Sequence, residues 1–114
     1  MEQCIFCQIA TGQIPTNFIY QDENIVALPD IHPKAPTHIL IIPKKHIPSI
    51  EELSTEDDYD LVSNMIKVAQ QIAREQNINT QGYRLVFNIR SHGGQEVPHL
   101  HLHLIGGQQL GSMT

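Results

Sequence analysis

The chain has 114 residues, with seven Lys and Arg against twelve Asp and Glu, a formal net charge of −5 and seven histidines. Its few cations are scattered and leave no basic face for a nucleic-acid backbone, so a duplex-binding role is disfavoured. No apolar run is long enough to span a bilayer and no secretory signal opens the chain, which predicts a soluble cytoplasmic protein without a membrane partner, built as one domain over 1–114.

Ile5, Phe6 and Ile9 recur at helical spacing until Gly12 and Pro15 intervene, which predicts a brief helix from Cys4 to Thr11. Phe18 to Gln21 and Ile25 to Leu28 flank Asp22-Glu23-Asn24, the turn-forming centre of a β-hairpin. The proline-rich stretch from Pro29 to Pro36 is a loop. Thr37 to Pro43 carries the continuous run Ile39-Leu40-Ile41-Ile42, the mark of a strand covered on both faces. From Ser54 the period changes, since Leu61, Val62, Met65, Ile66, Ala69, Ile72 and Ala73 trace one long helix to about Asn77. Ser54 is the expected cap, and Glu56, Asp57 and Asp58 suit the positive end of the helix dipole. Tyr83 to Ile89 alternates as a strand, and Ser91 to Glu96 forms a glycine-bearing loop. The sum is an α+β fold with a mainly antiparallel sheet of about five strands, one long helix and a short N-terminal one.

The chemistry concentrates in His99-Leu100-His101-Leu102-His103-Leu104-Ile105. In an extended strand this two-residue repeat puts the histidines on one face, spaced about 6.6 Å apart, and the leucines on the other. One face is expected to be core and the other a site. Imidazole titrates near neutrality, so much of it is a free base at pH 7 and can act as a nucleophile without unusual activation. Its second nitrogen must then be held as N–H by an acceptor, either a backbone carbonyl or a neighbouring histidine.

Just upstream, Gly93-Gly94-Gln95-Glu96 can gather backbone N–H groups around a phosphate, although Glu96 would repel one unless turned away, protonated or used on a leaving group. Cys4-Ile5-Phe6-Cys7 spaces two thiols as metal sites often do, and a tetrahedral zinc would need two more ligands from His32, His46, His92 and His99. A redox dithiol or two buried cysteines stand beside that reading as equal alternatives. Lys44 and Lys45 receive no role.

Taken together, the triad at 99–105 followed by Gly106-Gly107, the Asp30-to-His38 stretch, Ile41 to Ile47, Gly82-Tyr83-Arg84 and Gly93 to Val97 resemble the histidine-triad (HIT) family. The likeness is to its Hint branch, the nucleoside phosphoramidate hydrolases, and spans Ile5 to Gly107. It implies a homodimer with a purine nucleotide pocket, in which His101 is the nucleophile and becomes transiently nucleotidylated. His103, His38 and His99 complete the histidine set. Asn88 with Gly94, Gln95, Glu96 and Val97 contacts phosphate, Asp30 holds the ribose, and Ile5, Phe6, Ile9, Leu28 and Ile31 enclose the base. The same resemblance implies a structural zinc on Cys4, Cys7, His46 and His99, with no catalytic cofactor.

This sequence departs from the branch at Glu96, where eukaryotic members place a serine, at Pro98, and at Leu28, which replaces an aromatic ring. Its short tail after Gly107 falls in a segment that tunes substrate choice in this branch. A dinucleoside polyphosphate hydrolase of the Fhit type, a nucleotide-binding regulator with vestigial activity, and a zinc-binding structural module are the alternatives.

Overall fold

The structure, a computed structural model, describes residues 3–113. Helix α1 (Ile5–Ala10) is capped by Cys4, whose Sγ accepts from the Cys7 N–H at 3.4 Å, and ends at Thr11. Strands β1 (Tyr20–Gln21) and β2 (Ile25–Pro29) form the expected hairpin. Its turn is held by Asp22 Oδ1, which accepts from the backbone N–H groups of Asn24 and Ile25 at 2.7 and 2.8 Å. Strand β3 (Thr37–Pro43) lies where the apolar run predicts, and all seven of its residues are buried. Helix α2 (Glu56–Glu75) is followed by β4 (Tyr83–Val86) and β5 (Leu102–Gly106). The strands make one sheet in the order β1-β2-β3-β5-β4, antiparallel at every pairing.

The two faces of this sheet serve different purposes. Ile25, Ala27, Ile39, Ile41, Leu102 and Leu104 point to one side and pack with Met65, Val68, Ala69, Ile72 and Ala73 of α2. Each fully buried aliphatic side chain in such a layer stabilises by about 1.5–3 kcal/mol. On the other side Val26, Leu28, Leu40 and Ile42 meet Phe6 and Ala10 of α1. His38 and His103 share this second face, because His103 pairs directly with Leu40 and His38 lies two residues before it on β3.

Five expectations shift. The cap of α2 is Thr55 rather than Ser54: its hydroxyl accepts from the Asp58 N–H while Asp58 Oδ2 accepts from the N–H groups of both Ser54 and Thr55, a reciprocal box. Strand pairing of the 83–89 segment stops at Val86, and only Tyr20 and Gln21 of 18–21 pair as a strand. Regular strand in the histidine segment begins at Leu102, because the His99 N–H bonds the Val97 carbonyl and the Leu100 N–H bonds the Ile47 carbonyl instead of sheet neighbours. Lys45, which the sequence left without a role, reaches Asp58 at 2.7 Å and ties the end of β3 to the start of α2.

Candidate functional site

The bend ahead of β5 divides the histidines. His99 is fully buried and His101 is 9 % exposed, so neither stands on a solvated strand face. The leucine side is core as expected; the histidine side is enclosed as well. His99 Nε2–H donates to the Pro43 carbonyl at 2.8 Å, which leaves Nδ1 as its lone-pair nitrogen, 3.2 Å from Cys4 Sγ and 3.5 Å from Cys7 Sγ. His46 Nδ1 lies 3.3 Å from Cys7 Sγ. Four ligand atoms thus converge, all within 4.8 Å of one another. Two sulfurs and two imidazole nitrogens are a set that suits zinc, and the bond to Pro43 is the outer support that orients a metal-binding histidine. Burial, then Cys4 beside it, pushes the Cys7 thiol up to about 11.

His101 turns the other way. Its Nδ1–H donates to the His99 carbonyl at 2.7 Å, so Nε2 keeps its lone pair. The acceptor left open by the sequence is therefore a backbone carbonyl. The Phe6 ring stands edge-on to His101 at 5.0 Å and to His99 at 5.9 Å, and the His101 and His103 rings are 5.0 Å apart, closer than a straight strand would place them. Burial pulls the His101 pKa below its ordinary value, against the opposing pull of the His99 carbonyl, Asp30 and Glu96, and keeps the ring neutral at pH 7.

The remaining pair forms a directed relay. The Lys34 N–H donates to His38 Nδ1 at 3.1 Å, which places the His38 proton on Nε2. That Nε2–H points at His103 Nδ1, 3.0 Å away, with Asp30 Oδ2 at 3.4 Å. His103 then carries its proton on Nε2 and is a hydrogen-bond donor. Burial, followed by repulsion from His101 and His38, pulls its pKa down to about 4. Asp30, His38 and His103 are also close enough to chelate an ion, but His38 already accepts at Nδ1 and would have to give up its Nε2 proton to bind one, which disqualifies this cluster.

A cleft of about 570 Å³ opens on this relay and on His101. Ile5, Phe6, Ile9, Leu28 and Ile31 give it an apolar end; Asp30, Asn88, Gly94, Glu96 and Val97 border the rest. Phe6 and Leu28 are its buried floor, while Ile31, 86 % exposed, is its lip. Of the residues expected to bind nucleotide or complete the catalytic histidine set, Gln95 and His99 do not line the cleft. The Gln95 side chain instead accepts from the Arg90 N–H and donates to the Pro48 and Val97 carbonyls. His32 sits on the cleft wall and His92 in an exposed turn, so neither joins the metal set. The backbone of Lys34 is a site element that sequence reasoning missed, since its role depends on the path of the 30–38 loop. A larger hollow of about 900 Å³ elsewhere is lined mainly by Gln, Asn, Tyr83 and Arg84, with no histidine, cysteine or carboxylate, and offers no comparable chemistry.

Residues 3–113 match the family described as scavenger mRNA decapping enzyme C-term binding. The chain is 48% identical over 112 residues to a purine nucleoside phosphoramidase of Escherichia coli (strain K12), covering 98% of this chain and 93% of that protein. It superposes on a histidine triad protein from Clostridium difficile with a TM-score of 0.94 at 40% identity, over 100% of this chain and 98% of that one. A Zn-bound histidine triad family protein from Mycobacterium smegmatis matches with a TM-score of 0.80 at 32% identity, over 94% of this chain and 76% of that one.

Proposed function

The chain belongs to the histidine-triad family, through the decapping-enzyme C-terminal group its residues 3–113 match, and from that premise we propose that it hydrolyses purine nucleoside 5'-phosphoramidates to nucleoside monophosphates. The observation that carries this reading is His101, whose Nδ1–H is held by the His99 carbonyl so that a neutral Nε2 borders a cleft with an apolar slot at one end. The slot made by Ile5, Phe6, Ile9, Leu28 and Ile31 suits a purine, and the Asp30 carboxylate suits the ribose hydroxyls.

In the first step His101 Nε2 forms a bond to the α-phosphorus as the phosphorus–nitrogen bond to the leaving amine breaks, and the amine departs with a proton taken up from solvent. In the second, water attacks the nucleotidyl-histidine, the phosphorus–Nε2 bond breaks, the monophosphate leaves, one proton returns to solvent and neutral His101 is restored. His103 Nε2–H, Asn88 and the N–H groups of Glu96 and Val97 stabilise charge on the phosphoryl oxygens. His38 keeps His103 in its donor tautomer.

The converging thiols and imidazoles support a structural zinc on Cys4, Cys7, His46 and His99, which would pin the start of α1 to the end of β3. No step of the reaction is assigned to it. Residues 1–114 are read as one domain, active as a homodimer. Two thiols given to a metal suit a reducing, cytoplasmic setting, and among the described residues no helix is long and apolar enough to cross a membrane.

Incubating the protein with adenosine 5'-phosphoramidate and following AMP release tests the reading. Wild type is expected to turn over and to yield an adenylylated His101 on rapid acid quench and mass spectrometry, with His101→Ala slower by a factor of about 10³ or more. A His101→Ala protein that releases AMP at the wild-type rate overturns the assignment.

A further inference from the structure

Arg90 has φ 57° and ψ −171°, a backbone conformation found almost only at glycine. Its surroundings hold it there. Arg90 Nε and Nη2 both donate to Glu52 Oε1, at 3.1 and 2.6 Å, while Glu52 Oε2 accepts from the Ser49 hydroxyl. The Arg90 N–H donates to Gln95 Oε1 at 2.8 Å and the Arg90 carbonyl accepts from the Gln95 N–H at 3.0 Å. Gln95 Nε2 in turn donates to the Pro48 and Val97 carbonyls at 2.7 and 2.9 Å. The loop from 91 to 97 is thereby fastened at both ends to the segment from Pro48 to Glu52.

This fastening decides which backbone donors are available. The Gly94 and Gln95 N–H groups are spent on the Ser91 and Arg90 carbonyls. Glu96 and Val97 border the cleft, and their N–H groups have no partner among the described residues. Gly94, at φ 80°, turns the chain two residues ahead of the free pair. We infer that Arg90, anchored by Glu52, is a positioning residue that sets the Glu96 and Val97 N–H groups for the phosphoryl oxygens of the substrate. The inference rests on the reaction proposed above and adds residues that lie outside the cleft. Arg90 and Glu52 side chains are 63% and 33% exposed, so their ion pair adds little to global stability and its loss is felt in the loop rather than in the fold.

The test compares wild type with Arg90→Ala, Glu52→Ala, the double variant and Arg90→Lys, using adenosine and AMP as binding probes and adenosine 5'-phosphoramidate as substrate. Each alanine variant is expected to lose about tenfold in AMP affinity and in kcat/KM, with adenosine affinity and melting temperature unchanged. The double variant loses no more than either single one, because both remove the same tether, and Arg90→Lys recovers part of the loss. Wild-type AMP affinity in the alanine variants, equal weakening of adenosine, or losses that add across the pair overturn the inference. Hydrogen exchange reads the tether without any nucleotide: amides of 91–97 exchange about tenfold faster in Arg90→Ala, and unchanged exchange also overturns it. Were wild type itself to ignore both AMP and the phosphoramidate, the proposed reaction would fall, and the exchange result alone would decide whether Arg90 holds the loop.

Discussion

At the residue scale, the relay from Lys34 through His38 to His103 fixes protons by geometry rather than by pH. A donor N–H on His38 Nδ1 and a short approach of Nε2 to His103 Nδ1 leave a single consistent arrangement, with His103 presenting Nε2–H. Burial is the largest cause of the low His103 pKa, about 4 against an ordinary 6.5, and burial also lowers His38. The unfolded chain therefore binds more protons than the folded one between these values, and stability falls as pH drops from about 6.5 through about 4. Ring-resolved NMR titration is expected to show His103 neutral at pH 5, and His103→Leu is expected to flatten the acid limb of a denaturation series across that window. A His103 titration midpoint near 6.5 contradicts this account. The repeat itself was legible as a site because clustering and a period of two are local properties. The division of roles came only through the resemblance to the family and not from the repeat, since His99 is defined by Cys4, 95 positions away, and His103 by His38, 65 positions away.

At the scale of elements, α1 joins two functions in six residues. Cys4 and Cys7 face His46 and His99, while Ile5, Phe6 and Ile9 wall the apolar end of the cleft, and Phe6 touches the rings of both His99 and His101. A helix this short has little stability of its own, so its position depends on what ties it down. Stripping zinc with a chelator, or replacing both cysteines with serine, is expected to abolish a one-per-chain zinc stoichiometry, speed amide exchange in 5–10, and weaken adenosine binding by about tenfold. Metal-free protein that binds adenosine at full strength removes this link. The element itself was readable from apolar spacing and the Gly12 stop, as α2 was from its longer helical period. The α2 cap slipped by one residue because Asp58 reaches back to two N–H groups, and the turn Ile50–Glu52, capped by Ser49 and tied to Arg90, 38 positions away, is an element the sequence reading did not include.

At the scale of the whole molecule, the sheet separates a structural face from a reacting one, and α2 spends its apolar stripe on β3 and β5. Strand β4 is left at the sheet edge beyond β5. Leu85 pairs with Leu104 and shares its side of the sheet, yet Leu104 is fully buried and Leu85 is 37% exposed, with Ile66 of α2 also open to solvent. An unpaired edge strand beside exposed apolar side chains is a ready template for pairing with another strand. A second copy approaching antiparallel along β4 would extend the sheet and cover Leu85, the arrangement the proposed homodimer predicts. Sedimentation velocity is expected to give twice the 12.9 kDa of the chain for wild type. Leu85→Lys leaves the interior untouched and places a charge on that edge, so it is expected to shift the population to monomer while retaining the fold by circular dichroism. Wild-type monomer at micromolar concentration excludes the dimer, and a Leu85→Lys protein that stays dimeric moves the interface away from β4.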